Sequence, residues 1–414
     1  MELTEARQSG VDLAAPGGIE RIRLEDGLGR VLAEGLTARH DVPRESRSRL
    51  DGFAMMSSDT SRTSPRGRVA LRILPELLAA GHGSDLEILP GECARILTGA
   101  PVPRGADAVA PQEKTVREGD RLFLDYPLAA GDGVTVPGEE IRRGDEVVFR
   151  GEVLTPTRLA LIAALGYAGI PVYRKPRVAL LATGDEVREP GQPLEGPWTF
   201  CNNRLLLGWL VQQQGGDPVH LGVEPDDAGA IAGRLEHVDA DVVITTGGIG
   251  RGDKDMILDA WQRLGVTVIF RHIRLSPGKN TALGVRGKQI FWAFPGNPWA
   301  GQLLFQELVA PVLWRFQGLE KRHAISITAR LESSLKKTRG LCKVVRGQLD
   351  VHSIPAAFVP AGGKSGPLGP VLKTSPGYVV LESSVAEVER GSTIEVRLVD
   401  FPLVAFLLFG RWEA

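Results

Sequence analysis

The chain has 414 residues, 43% of them hydrophobic and 24% charged, with a formal net charge of −1. This balance suits a soluble globular protein and excludes a global basic field that would gather nucleic acid or an anionic membrane. A prior of roughly 150 residues per domain predicts about three domains. The polar start MELTEARQSG carries two acids and is no signal peptide, and the apolar stretch FPLVAFLLFG near the end is half a membrane span, so the cytoplasm is the expected location. Cys93, Cys201 and Cys342 are isolated and form no C-x-x-C pair, so neither a disulfide framework nor a structural zinc site is expected. Fifty glycines and 28 prolines, spread along the chain, predict many tight turns and short strands.

In chain order, residues 1–39 carry short helical patterns such as LEDGLGRVLAEGL. Residues 40–139 place Gly and Pro every few residues among short apolar runs, which predicts a β-rich domain. DEVVFRGEVL reads as a strand, and TPTRLALIAALGYAGI (155–170) as a helix capped by Thr155, with Pro156 in its first turn and Gly166 and Gly169 as its stops. From 174 to 320 strands and helices alternate at about 30-residue spacing, the mark of βαβ units on a parallel sheet. RVALLATGDE, DPVHLGV, ADVVITTGG and VTVIFRHIRL are the expected strands. NNRLLLGWLVQQQG (N-cap Asn202 or Asn203), DDAGAIAGRLEHV, KDMILDAWQRLG and the long apolar WAGQLLFQELVAPVLWRFQG are the expected helices. Alternating β patterns return at 322–405.

In an open α/β sheet ligands bind beyond the carboxyl ends of the strands. Three loops fall there: ATGDE (182–186), TTGGIGRGDKD (245–255) and FPGNP (294–298). Glycines would free backbone N–H groups for phosphate oxygens, and Glu186 and Asp255 would bind Mg²⁺ through oxygen and offset the phosphate charge. Each loop alone is equally compatible with tight strand–helix packing. Neither a G-x-x-x-x-G-K-[ST] loop nor a G-x-G-x-x-G fingerprint is present. Lys279, after the turn in LSPGKN, is placed to meet an oxyanion. Asp51, Thr98 and Asp107 lie in Gly/Pro loops of the β-rich segment, and Arg346, Lys364 and Ser365 put basic and hydroxyl groups on the C-terminal part.

Taken together, DGFA (51–54), ILTGAPVPRGADAVAPQE (96–113), RVALLATGDEV (177–187), NNRLL (202–206), TTGGIGRGDKD (245–255), PGK (277–279), FPGNP (294–298) and KKTRG (336–340) resemble the MoeA family of molybdopterin molybdenumtransferases, relatives of the gephyrin E domain. The motifs stand in the family's order and span nearly the whole chain. The resemblance implies a multidomain α/β plus β architecture. An elongated discontinuous domain would comprise 1–39 and 140–173, a β-rich domain 40–139, a doubly wound, mostly parallel molybdopterin-binding domain 174–320, and a C-terminal β-barrel 321–414. It further implies a homodimer with the active cleft where protomers meet, and insertion of molybdate into adenylylated molybdopterin with Mg²⁺ or a similar divalent ion and release of AMP. Pathway partners would be the enzyme that adenylylates molybdopterin and the maturation factors of molybdoenzymes.

Carried over by position, Asp51, Thr98, Glu186, Asp226, Asp255 and Lys279 match catalytic positions, with Glu186 and Asp255 as metal ligands. Thr183, Gly184, Asp185, Asn203, Gly247, Gly248, Gly252, Pro295, Gly296, Asn297, Pro298, Arg346 and Ser365 match cofactor-binding positions. The chain departs from the family pattern at Ser276 and Asn280 in the lysine loop, at Gly250 in place of serine, at Cys201 before the Asn pair, at Glu140 and at Trp299-Ala300. A lost lysine removes a charge-assisted bond worth roughly 1.5–3 kcal/mol to a dianion; Arg251 and Lys254 are the candidate substitutes. Two other readings stay open at this level: a diverged paralogue that binds or carries molybdopterin or finished cofactor without turnover, and a gephyrin-like scaffold.

Overall fold

The computed structural model describes residues 1–62, 67–249, 255–319, 324–361 and 377–399. Gly252 and Ser365, together with Gly250, Arg251, Lys254 and Lys364, lie outside the described residues.

The site is built on a six-stranded sheet in the order Asp217–Glu224, Arg177–Thr183, Val242–Thr246, Gln289–Phe294, Ala282–Arg286, Thr267–Phe270. The first four strands run parallel, and the last two are joined through antiparallel pairings, so that only Ala282–Arg286 runs against the rest. Its two central parallel strands are apolar along their length because both faces are covered: Val178 to Leu181 and Val242 to Ile244 are all at most 1% exposed. Helices Asn203–Gln213 and Pro298–Leu304 cover one face with Trp292, Phe294 and Leu207, and Ala228–Leu235 and Met256–Arg263 cover the other with Phe291, Trp261 and Leu181. The alternation of patterns predicts the parallel strands, and the doubly wound arrangement is the one the resemblance implies. Asp227 caps Ala228–Leu235 by accepting from the Ala230 N–H at 2.7 Å.

Three expectations change. VTVIFRHIRL is not one strand. Thr267–Phe270 is the edge strand, the backbone turns at His272 (φ 96°), and Leu275–Ser276 leaves the sheet to pair with Cys342–Lys343 of the next domain. The long helix after FPGNP is α over Pro298–Leu304, π over Phe305–Val309 and α again over Ala310–Phe316. Pro311 explains the widened turn: it has no N–H to give the Glu307 carbonyl, and its ring crowds that carbonyl. The freed carbonyl accepts instead from Arg7 Nε at 2.8 Å. LEDGLGRVLAEGL is not helical beyond a single 3-10 turn at Leu24–Asp26, because Gly29 adopts φ 73° and the chain from Val31 to Thr37 forms bridges and a short strand.

Residues before and after the β-rich segment pair with each other: Ile19–Arg23 with Gly169–Tyr173, and Leu36–Thr37 with Glu146–Val148. The helix expected over 155–170 is shorter, Pro156–Ala164, capped by Thr155 and stopped by Gly166 (φ 79°). The intervening sheet runs Ala108–Pro111, Gly52–Met55, Glu92–Ile96, Val69–Leu78, Arg121–Leu124, Val116–Glu118. At the C-terminal end a barrel closes in the order Cys342–Asp350, Ala357–Pro360, Ser326–Leu331, Thr393–Leu398, Gly377–Leu381 and back to Cys342–Asp350. Closure leaves no free edge, and Leu331, Phe358 and Val396 fill its interior. Among the described residues no helix is long and apolar enough to cross a membrane.

Candidate functional site

A pocket of about 240 Å³ opens at the carboxyl ends of Arg177–Thr183 and Val242–Thr246, where the topology of an open α/β sheet leaves room for a ligand. Nine of the expected residues line it: Thr183, Gly184, Glu186, Asn203, Asp226, Gly247, Gly248, Gly296 and Pro298. Three segments distant in sequence converge because the parallel register sets Ala182 beside Thr246 and Thr246 beside Phe294. Asn203 ties the segments together. Its Nδ2 donates to the Gly296 carbonyl at 2.8 Å, so it forms no side-chain cap on its own helix. Neither does Asn202, which holds the N-cap position.

The glycines serve close packing. Gly247 (φ 94°) lies where a Cβ would collide with the Thr183 carbonyl, and Gly248 (φ 61°) would bring a Cβ to 2.8 Å from Thr183 Oγ1. Their expected use as free phosphate donors is corrected at two positions: the Gly184 N–H donates to the Glu224 carbonyl at 3.2 Å and the Gly247 N–H to the Phe294 carbonyl at 3.1 Å. The ladder has already engaged both donors.

The pocket wall is rich in acceptors. Thr183 Oγ1, Asn203 Oδ1 and Asp226 Oδ1 are buried with no partner, a costly arrangement unless a ligand supplies one. Burial, followed by the charges of Asp185 and Glu186, pushes the Asp226 carboxyl above the usual carboxylate range. Asp185 lies in an adjoining hollow of about 470 Å³ and accepts the Asp226 N–H at 3.2 Å. Among the described residues no three His, Cys, Asp or Glu side chains are grouped to hold a metal ion.

Other expected residues take other places. Asp255 caps Met256–Arg263, accepting from the Leu258 N–H at 3.4 Å, and burial raises its carboxyl. Asn297 caps Pro298–Leu304 through the Ala300 N–H at 3.1 Å, with Pro295 in the preceding turn. Lys279 is exposed, on the loop between the α/β sheet and the barrel. Arg346 is half-buried with its guanidinium over the Trp299 ring, 5.4 Å from the centroid. Asp51 and Thr98 lie just beyond the ends of two strands of the β-rich sheet, Gly52–Met55 and Glu92–Ile96. They meet because Gly52 and Ile96 are paired antiparallel neighbours, and Asp51 Oδ1 accepts both the N–H and the hydroxyl of Thr98 at 2.7 and 2.8 Å. Those bonds, the backbone one foremost, hold the Asp51 carboxyl below its usual range.

Sequence reasoning missed the strap that walls the pocket. Val187–Arg188 pairs in parallel with Thr199–Phe200, and Val187, Thr199, Phe200 and buried Cys201 join the lining. The available signal was two aromatic residues, Trp198 and Phe200, in a Gly/Pro-rich loop directly after a candidate binding turn.

Comparison with known proteins agrees in extent. Residues 1–166 match the MoeA N-terminal region (domain I and II), and residues 179–315 match a probable molybdopterin binding domain. The molybdopterin molybdenumtransferase of Bacillus subtilis is 31% identical over 391 residues, covering 92% of this chain and 90% of that one. A molybdopterin molybdenumtransferase of Staphylococcus aureus is 30% identical over 383 residues, covering 92% and 91%. A crystal structure of a molybdopterin biosynthesis MoeA protein from Pyrococcus horikoshii superposes with a TM-score of 0.86 at 29% identity, covering 96% of this chain and 98% of that one.

Proposed function

Because the chain belongs to the MoeA family of molybdopterin molybdenumtransferases, we propose that it acts in molybdenum cofactor biosynthesis, inserting molybdate into adenylylated molybdopterin with release of AMP. The observation that carries this reading is the acceptor-lined pocket at the strand ends, which lies within the stretch matched to a molybdopterin binding domain. Phosphoanhydride chemistry asks the protein mainly for positioning and charge stabilisation. Asp226 would orient the attacking oxygen from inside the pocket, and Lys279 would approach the oxyanion from the barrel side.

A magnesium ion of the sparsely held kind needs only one or two carboxylates besides substrate phosphate oxygens. Glu186 lines the pocket and would be the first such ligand, with Asp255 at the following helix start as the second. When bound, the ion would neutralise phosphate charge. That reconciles an acidic wall with an anionic substrate.

Asp51 and Thr98 lie beside a different sheet from the pocket's. A homodimer would let one protomer present them to its partner's pocket, with the active cleft between the two. Pairing of the flanking segments, 1–39 against 140–173, gives the β-rich unit the stalk such an arm needs.

The test is incubation of the purified protein with adenylylated molybdopterin, Mg²⁺ and molybdate, scoring AMP. Release of AMP that depends on the protein and on molybdate is expected. Retention of pterin with no AMP would replace the enzyme by a carrier.

A further inference from the structure

Phe200 is 40% exposed and lines the pocket. It stands on the strap formed by Val187–Arg188 and Thr199–Phe200. The two strands of the strap are held to each other. The Thr199 N–H donates to the Glu186 carbonyl at 2.8 Å and the Cys201 N–H to the Arg188 carbonyl at 2.7 Å, while the Arg188 guanidinium lies over the Trp198 ring, 4.2 Å from its centroid. An aromatic side chain on a braced ribbon, left partly uncovered beside a cavity, is the usual platform for a flat ring.

Two residues that line the pocket also carry buried polar atoms without partners. Thr183 is 3% exposed and Asn203 is 8% exposed, and neither Thr183 Oγ1 nor Asn203 Oδ1 has a hydrogen-bond partner. The direction of Asn203 is set. Its Nδ2 is committed to the Gly296 carbonyl, so the remaining amide atom is an oxygen that only accepts. A phosphate oxygen is also an acceptor and cannot satisfy it. A ring N–H or an exocyclic amino group can.

We propose that Phe200 is a substrate-contacting residue that stacks on a planar, N–H-bearing heterocycle in this pocket, while Asn203 Oδ1 and Thr183 Oγ1 pair with the polar edge of the ring. The proposal rests on the reading of the pocket as a molybdopterin site and assigns the pterin ring to it in preference to the adenine.

The test titrates unsubstituted pterin (2-amino-4-oxopteridine), and separately AMP, against the full-length protein, following pterin fluorescence and, for AMP, heat of binding. Wild type is expected to bind pterin with quenching. Phe200→Ala is expected to weaken pterin binding about tenfold, the loss typical of a removed stacking partner. Its melting temperature should stay unchanged, because the side chain is partly exposed on a surface strap. Phe200→Tyr should restore binding and quenching, and Thr183→Val should weaken binding with the quenching per bound pterin intact. If wild type binds pterin and Phe200→Ala binds it equally well, the stacking assignment falls and the pocket reading survives. If Phe200→Ala weakens AMP and leaves pterin untouched, the ring in this pocket is adenine and the assignment is overturned. If wild type binds no pterin, the proposal and the pterin reading of the pocket fall together.

Discussion

Arg397 closes on the buried carboxylate of Glu307, with one guanidinium nitrogen 2.6 Å from both of its oxygens. Tyr378 donates its hydroxyl to the same carboxylate at 2.6 Å, and Arg7 reaches it from the N-terminal helix Leu3–Leu13. Glu307 is 2% exposed and sits in the π-turn that Pro311 imposes. One carboxylate therefore joins the first helix, the α/β domain and the barrel. Removing one partner of a buried pair leaves a charge stranded, which costs far more than the intact pair contributes. Arg397→Met is expected to destabilise the protein by about 3 kcal/mol, read as a lower urea midpoint. Combining it with Glu307→Gln should recover part of that loss, since the stranded charge disappears.

The same node sets an acid limit. Burial alone would raise the Glu307 carboxyl, but Arg397 and Arg7 outweigh it and hold the group below the usual range. A depressed carboxyl contributes stability above its unfolded value of about 4.3 and loses it as pH falls through the lower folded value. Melting temperature should therefore fall steeply below pH of about 4, and more shallowly in Glu307→Gln.

Asp226 has the opposite sign. Its carboxyl is raised by burial and by Asp185 and Glu186, so its contribution to stability is complete below the unfolded value and is lost as pH rises through the folded one. Asp226→Asn is expected to raise the melting temperature at pH 7 while abolishing AMP release. A lower melting temperature would show that the carboxylate is part of the fold's support rather than of the site's chemistry.

Gly247→Ala is expected to cost roughly 1–3 kcal/mol, because the backbone holds φ 94° and the added Cβ meets the Thr183 carbonyl. The displaced Thr183 should also carry its hydroxyl out of register, so binding of pterin should fall more than the stability loss alone accounts for. Parallel thermal melts and titrations check both.

If the cleft spans two protomers, Asp51→Ala and Asp226→Asn damage the site from different subunits. Each variant alone should lack turnover, and a mixture refolded together should regain some, because half-mutant dimers contain one intact cleft. Light scattering of the wild type should give the mass of a dimer, and failure of the mixture to recover would place both residues in one chain's site.

Much of this was legible in the chain itself. The runs RVALLAT and DVVITT are apolar on both faces, and only a doubly covered parallel strand needs that. The glycine turns after them marked the strand ends where nine expected residues do gather. The motifs were specific enough to identify the family. The departure of Leu275–Ser276 from the sheet was not legible, because a two-residue strand has no pattern of its own and is chosen by the barrel edge it meets. Nor was the strap with Phe200, whose short ribbon depends on backbone bonds to Glu186 and Arg188 across a loop.

Local preference and hydrophobic period, both properties of neighbouring residues, determined most element types, the β-rich character of the segment before the α/β part and its alternating strands and helices, and the motifs named the polar groups at the sheet edge. Tertiary structure decided which of those groups face one another. It committed the Gly184 and Gly247 donors to carbonyls, turned Asn203 to Gly296 so that its oxygen is left without a partner, and set Glu307 among Arg7, Arg397 and Tyr378. Hydrogen-bond partners 40 or more residues apart in sequence are chosen by strand register and helix packing, and no local pattern encodes those.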